Sequence, residues 1–128
     1  RAFFDQQAEA MLARLRPRRP ATLRRLHEQI LRALPSGTPK MATVAEALGQ
    51  SERALRRLLE DNGQSYTETV ATVRLRLARQ LLREPQLSLA EIAFALGYSE
   101  HSAFTRFFSA RTGQSPRAYR DSLASSVD

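Results

Sequence analysis

The sequence lacks the residues on which several functions depend. It contains no cysteine, which excludes disulfide bonds, thiolate metal sites and thiol catalysis. His27 and His101 are the only histidines and stand far apart, and no glycine-rich phosphate loop is present. No apolar run approaches the ~18 residues of a membrane-spanning helix. We therefore predict no enzymatic activity, no metal or other cofactor, and no membrane partner.

Arginine supplies almost all of the positive charge. The 128 residues carry 20 Lys+Arg against 13 Asp+Glu, a formal net charge of +7, and Lys40 is the only lysine. The planar guanidinium suits paired hydrogen bonds to phosphates and guanine edges. Charge alone leaves a nucleic-acid-binding protein, an ordinary basic soluble protein and a membrane-surface protein as open alternatives.

The apolar residues are spaced three and four apart, which predicts an all-α protein. Thr43, Ser65 and Ser88 each begin an S/T-x-x-E capping motif ahead of an apolar segment. Four glycines stand where helices are expected to end, at positions 49, 63, 97 and 113. Thr22 and Ser115 are further predicted caps. The predicted helices are 22–34, 43–48, 51–62, 65–83, 88–96, 101–112 and 116–122.

Two segments of the chain resemble each other. "VAEALGQSERALRRLLEDNGQS" (44–65) and "IAFALGYSEHSAFTRFFSARTGQS" (92–115) share A-L-G, then S-E, then G-Q-S, in that order. Each copy reads as a short helix, a turn at glycine and a longer helix, which is the helix-turn-helix pattern of DNA-binding proteins. The other interpretation of each copy is an ordinary helical hairpin.

The second helix of the first copy predicts one apolar and one cationic face. Leu55, Leu58 and Leu59 point toward the core at helical spacing, which leaves Arg53, Arg56, Arg57 and Glu60 on the opposite face. Arginine is the commonest reader of guanine in the major groove. The alternative for Arg56 or Arg57 is a surface salt bridge to Glu60 or Asp61, worth only about 0.3–0.5 kcal/mol.

The corresponding helix of the second copy is less charged. Phe104, Phe107 and Phe108 take the core positions, and the outward face carries Ser102, Thr105, Arg106 and Ser109, with His101 at its N-terminal edge. The helix at 65–83 joins the copies. Val70, Val73, Leu77 and Leu81 are its predicted buried stripe, and its predicted cationic surface is Arg74, Arg76, Arg79 and Arg83.

The segment "LAEIAFALGYSEHSAFTRFFSARTGQSPRAYR" (89–120) resembles the signature of the AraC/XylS family of bacterial transcription regulators. Ile92-Ala93, Gly97-Tyr98, Arg106-Phe107-Phe108, Ser115-Pro116 and Tyr119-Arg120 match its pattern. The resemblance covers about residues 21–122. It implies a seven-helix domain with two helix-turn-helix modules on a long central helix. The expected divisions are an arm or end of an upstream domain (1–20), the DNA-binding domain (21–122) and a flexible tail (123–128), with modules at 43–63 and 88–113.

The resemblance also implies site residues and partners. Base contacts carried over by position are Arg53, Arg56, Arg57, His101, Ser102, Thr105 and Arg106. Expected phosphate contacts are Ser51, Gln64, Ser65, Arg74, Ser99, Gln114, Ser115 and Arg117. The implied partners are double-stranded promoter DNA, RNA polymerase and an upstream sensing or dimerisation domain, in a cytoplasmic, nucleoid-associated activator. The alternative function is an architectural nucleic-acid-binding protein without sequence preference.

Overall fold

The computed structural model describes residues 21–125, and every regular element in that range is helical. The elements are α1 (Ala21–Ala33), a 3-10 turn (Leu34–Ser36), α2 (Met41–Ala47), α3 (Glu52–Asp61), α4 (Tyr66–Leu82), α5 (Leu89–Ala95), α6 (His101–Thr112) and α7 (Pro116–Ser125). The predicted all-α fold with seven helices is confirmed for these residues. The predictions for residues 1–20 and 126–128 lie outside the described residues.

The long helix α4 belongs to two separate hydrophobic cores. Val70 and Val73, in its first half, pack with buried residues of α1, α2 and α3. Ala78 and Leu82, in its second half, pack with buried residues of α5 and α6. Leu77 lies between them and contacts both cores. Each helix-turn-helix module therefore has its own core, and α4 is the element that both modules share.

The sequence repeat corresponds to a repeat in backbone hydrogen bonding. In the first module the Gln50 N–H donates to the Ala45 carbonyl at 2.9 Å, and in the second the Tyr98 N–H donates to the Ala93 carbonyl at 3.0 Å. α3 has 10 residues and α6 has 12. The second helix of the second copy is therefore two residues longer, and the segment between its glycine and that helix is one residue longer, 98–100 against 50–51.

Most of the predicted helix starts are confirmed by side-chain caps. The hydroxyls of Ser51, Ser65 and Ser115 each accept an N–H from three residues further on. Ser88 makes the complete capping box, because the Glu91 carboxylate also accepts the Ser88 N–H at 2.8 Å. That hydrogen bond lowers the pKa of Glu91.

The predicted start at Thr43 is wrong, because α2 begins two residues earlier, at Met41. Lys40 is the N-cap, and its side chain makes no capping hydrogen bond. Met41 packs against the first core, and the Tyr66 hydroxyl donates to the Pro39 carbonyl at 2.8 Å. Burial raises the pKa of Tyr66 to about 12, so the hydroxyl keeps its proton at neutral pH. These tertiary contacts override the local capping signal.

Two other boundaries differ from the prediction. Thr22 lies inside α1 and does not cap it, since helix already includes Ala21. The last helix continues to Ser125, so its predicted end at residue 122 is wrong by three residues.

The C-terminal end of α4 is held by one side chain from α7. Arg120 donates from Nε to the Leu82 carbonyl at 3.1 Å, from Nη1 to Leu87 at 2.7 Å and from Nη2 to Glu84 at 3.1 Å. The Leu82 carbonyl lies at the end of α4, where a carbonyl has no partner within the helix, and the Glu84 and Leu87 carbonyls lie in the segment that follows, so one guanidinium ties the helix end to this segment. This contact packs α7 on the second module, where the Tyr119 ring also meets Phe108 edge-on with a centroid separation of 5.4 Å.

Candidate nucleic-acid interface

The exposed face of α3 carries a row of arginines. Leu55 and Leu59 are buried in the first core, Leu58 is half-buried, and Arg53, Arg56 and Arg57 are all exposed. At 100° per residue, Arg53 and Arg57 point most directly away from the two buried leucines. The predicted division of this helix into an apolar and a cationic face is confirmed.

Arg56 lies on the flank of α3 and contacts its own helix and α2. Its Nη2 is 3.6 Å from the Glu52 carboxylate and 3.7 Å from the Met41 sulfur. The alternative prediction, an ion pair with Glu60 or Asp61, is wrong for Arg56, because its partner is Glu52. An exposed pair of this kind contributes only about 0.3–0.5 kcal/mol, so the guanidinium can leave it to bind an anion.

The corresponding face of α6 carries a single arginine among small side chains. Phe104 and Phe108 are fully buried, and Phe107 is half-buried. Arg106 and Ser102 are exposed and lie opposite the buried rings. His101 is exposed at the first position of α6, whereas Thr105 is half-buried on the flank. Ser99 is exposed before the helix, and the N-cap is Glu100, whose side chain makes no capping bond.

The predicted phosphate contacts lie mainly at helix starts. Ser51, Ser65 and Ser115 are N-caps, at positions where free backbone N–H groups favour anions. Gln64 is half-buried, and its amide oxygen accepts the Thr69 hydroxyl at 2.9 Å. Gln114 and Arg117 are exposed on either side of the start of α7.

The prediction that Arg74 lies on the cationic surface of α4 is wrong. Its side chain is 9% exposed, and its Nε donates to the Leu96 carbonyl while its Nη2 donates to the Thr38 hydroxyl. The Arg74 guanidinium lies 4.9 Å from the centroid of the Tyr98 ring. Arg74 lies between the two halves of α4 on which the modules pack and bonds to residues of both, so it does not present a free guanidinium to phosphate. The other arginines of the predicted surface, Arg76, Arg79 and Arg83, are exposed.

A bidentate ion pair connects the end of α6 to the start of α4. Arg111 donates from Nη2 to Glu68 Oε1 at 2.7 Å and from Nη1 to Oε2 at 3.2 Å. The hydrogen bonds and charge of Arg111 lower the pKa of the Glu68 carboxyl. The predicted second half of the Ser65 capping box does not form, because the Glu68 carboxylate is bonded to Arg111 and not to the Ser65 N–H. Glu68 therefore joins the second recognition helix to the first turn of α4.

Three contacts between distant segments are not predicted from the sequence. Local patterns predict a surface charge at Arg74, a cap at Glu68 and a signature residue at Arg120, whereas in the structure each side chain bonds to a distant part of the chain. Their partners lie between 22 and 43 positions away in the sequence. Local patterns carry no signal for such pairs. Among residues 21–125, no group of three His, Asp or Glu side chains is placed to hold a metal ion, and no helix is long and apolar enough to cross a membrane.

Comparison with known proteins identifies relatives over most of the chain. A family described as a helix-turn-helix domain matches residues 44–122. The chain is 40% identical over 117 residues, 91% of its length, to the ornithine utilization regulator of Pseudomonas aeruginosa. It covers 34% of that relative and 31% of the transcriptional regulator VqsM of the same organism, so it spans about a third of the length of these proteins.

Solved structures share the arrangement of helices. A regulator with an AraC-type DNA-binding domain from Chromobacterium violaceum superimposes with a TM-score of 0.69 at 25% identity, over 78% of this chain and 89% of that one. The DNA-binding domain of AdpA, solved with a target DNA, has the same fold with a TM-score of 0.68 at 24% identity, over 83% of this chain and 96% of that one.

Proposed function

Because the chain belongs to the AraC/XylS family of helix-turn-helix transcription regulators, which are not enzymes, we propose that it binds a bipartite site in duplex DNA sequence-specifically. In this proposal α3 and α6 enter consecutive major grooves of a promoter. The observation that carries it is the duplicated module, with an exposed polar face on each second helix and a shared α4.

The dimensions of α4 support this arrangement. Its 17 residues span roughly 25 Å at 1.5 Å per residue, and one module packs on each half. Recognition helices in successive major grooves of one duplex face stand about 34 Å apart. A helix of this length is a suitable spacer for two such elements, because one module packs on each of its halves.

The two modules are proposed to contribute unequally to recognition of the DNA bases. Arg53, Arg56 and Arg57 of α3 are the proposed main base readers, because a guanidinium can hold guanine O6 and N7 together. Arg106, with His101, Ser102 and Thr105, is proposed to read a weaker second half-site. The helix caps Ser51, Ser65 and Ser115, together with Ser99 in the turn before α6 and with Gln64, Gln114 and Arg117, are proposed to hold phosphates.

Selection of duplexes from a random library, followed by salt titrations, tests sequence specificity. The selected duplex should bind at least about 10³-fold more tightly than a scrambled one of equal length. Affinity for both should fall as salt rises, because bound arginines release counterions. Equal affinities at every salt concentration would refute specific recognition and favour the architectural alternative.

Arg57→Ala separates base reading from charge. It should weaken binding to the selected duplex by about 1–3 kcal/mol and relax the preference at one or two base pairs. Arg79→Ala is the matched control, because it removes an equal charge from an exposed position on α4. If Arg57→Ala weakens binding to all duplexes equally, Arg57 contacts phosphate and not bases.

The whole protein is proposed to extend beyond this domain. Since the chain spans about a third of the length of its curated relatives, an additional sensing or dimerisation domain upstream is part of the proposal. Contact with RNA polymerase, activation and a cytoplasmic, nucleoid-associated location stay predictions. Binding of purified RNA polymerase to the protein on its selected duplex tests the first of these.

A further inference from the structure

Arg74 lies at the boundary between the two modules. It follows Val73, which packs in the first core, and precedes Ala78, which is fully buried in the second. Its own side chain is buried, so its charged group lies inside the protein at the middle of α4. The other arginines of α4, Arg76 and Arg79, are exposed, as is Arg83 at its C-cap.

The guanidinium of Arg74 bonds to both modules at once. Its Nη2 donates at 3.1 Å to the Thr38 hydroxyl, in the segment that leads into α2. Its Nε donates at 3.1 Å to the carbonyl of Leu96, at the end of α5, and its face lies over the Tyr98 ring of the same turn. One side chain thus joins the start of the first helix-turn-helix to the turn of the second.

Only an arginine fits this set of acceptors. Nε and Nη2 point in fixed, different directions, and the planar group can also lie against an aromatic ring. Within residues 21–125 no carboxylate lies within 4.0 Å of the Arg74 guanidinium. The buried cation is therefore stabilised by a carbonyl, a hydroxyl and a ring. Burial of a charge costs desolvation free energy, which an apolar side chain in the same space would not.

We infer that Arg74 is a positioning residue that fixes the orientation of α3 relative to α6. This inference rests on the proposed function, since orientation matters to binding only if both helices engage one duplex. Two modules held rigidly at the spacing of two grooves bind the second half-site at a high effective concentration. Loosening the connection lowers that concentration without removing any base contact.

Distance measurement between spin labels tests the orientation without DNA. The chain has no cysteine, so Asp61→Cys on α3 and Ala110→Cys on α6, both at exposed positions, can be labelled uniquely. Arg74→Met should broaden or shift the label-to-label distance by about 2 Å or more. Arg79→Met, a matched loss of charge on the same helix, should leave it unchanged. An unaltered distribution in folded Arg74→Met would overturn the inference.

Binding to whole and half sites provides the functional test. The duplexes are the one selected by the wild-type protein and two versions in which one half-site is scrambled. Arg74→Met should weaken binding to the whole site at least about tenfold and change binding to each half-site version less than about twofold. Equal weakening on all three duplexes would overturn the inference, because a general loss of stability or of a phosphate contact acts on each alike.

A conservative variant keeps the test decisive if Arg74→Met does not fold. Arg74→Lys retains the charge and the stem but lacks the fork that reaches both acceptors. It should broaden the distribution of label-to-label distances. It should also weaken binding to the whole site, but by less than the loss expected if the two modules were no longer connected. A wild-type distance and whole-site affinity in Arg74→Lys would refute the need for the fork. Failure of the proposed function can be distinguished from failure of this inference. If the proposed function is wrong, the wild-type protein selects no duplex sequence from the random library.

Discussion

Gly97→Ala should destabilise the protein far more than the equivalent change in the other module, Gly49→Ala. Gly49 and Gly97 occupy corresponding turns, after α2 and after α5, and both have positive φ angles, +68° and +91°. An L-residue in that region costs about 1–2 kcal/mol, so both substitutions carry this cost. A comparison of the two variants cancels it.

The surroundings of the two glycines differ. A Cβ added at Gly49 meets no atom within 4 Å. A Cβ added at Gly97 would overlap the Leu34 carbonyl oxygen and lie 3.0 Å from the Gly37 Cα. These atoms belong to the main chain of the 3-10 turn and of the glycine that ends it, which cannot rotate away as a side chain can. Overpacking of this kind adds about 1–3 kcal/mol.

The expected loss in free energy of unfolding is therefore about 1–2 kcal/mol for Gly49→Ala and about 2–5 kcal/mol for Gly97→Ala. Urea denaturation followed by far-ultraviolet circular dichroism measures both losses. An unchanged slope of the free energy of unfolding against urea concentration would indicate that the same amount of surface is exposed on unfolding in each variant. Equal losses in the two variants would refute the close approach of the second turn to the first module.

Three further predictions concern single interactions. Arg120→Met should lower the free energy of unfolding by about 1–3 kcal/mol, because the Leu82 and Leu87 carbonyls lose their side-chain donor and the Glu84 carbonyl keeps only the Leu87 N–H, whereas exposed Arg117→Met should change it by less than about 0.5 kcal/mol in the same urea assay. Ser88→Ala should lower the free energy of unfolding by about 1 kcal/mol, whereas Thr43→Ala, inside α2, should not lower it. A comparable loss for Thr43→Ala would indicate that Thr43 does cap the helix. The folded-state pKa of Glu68 is lowered from 4.5, so its contribution is present above that pH and is lost as pH falls through the folded value. Wild type should consequently lose more stability than Glu68→Gln between about pH 5 and about pH 3, and parallel pH profiles would contradict the ion pair.

The candidate site was predictable where the signal is local. Side-chain caps join residues three positions apart, so Ser51, Ser65, Ser88 and Ser115 follow from the sequence. Helical periodicity places Leu55 and Leu59 inside and Arg53 and Arg57 outside, and the repeat gives the corresponding division on α6. These rules depend only on neighbouring residues and on 3.6 residues per turn. Which exposed residues contact bases stays a prediction.

The errors occur where distant segments meet. Periodicity placed Arg74 with the exposed arginines of α4, because it does not indicate that two modules pack against the same helix. Thr43 has the sequence of a cap, yet the packing of Met41 begins the helix earlier. The carboxylate of Glu68 lies with Arg111, 43 positions away. In each case a tertiary contact, within the first module at Met41 and between the modules at Arg74 and Glu68, outweighs a local preference of about 1 kcal/mol or less.

The sequence by itself determined the helices, the duplicated module, the two apolar faces and the exposed arginines. Each of these follows from spacing within a few residues, where helical geometry fixes which side chains are neighbours. Only the tertiary structure decided that α4 serves two cores, that Gly97 touches the first module and that Arg74 joins both. The physical reason is that burial and hydrogen-bond partners depend on how the two modules meet, and residues such as Thr38 and Leu96 become neighbours of Arg74 only when the chain has folded.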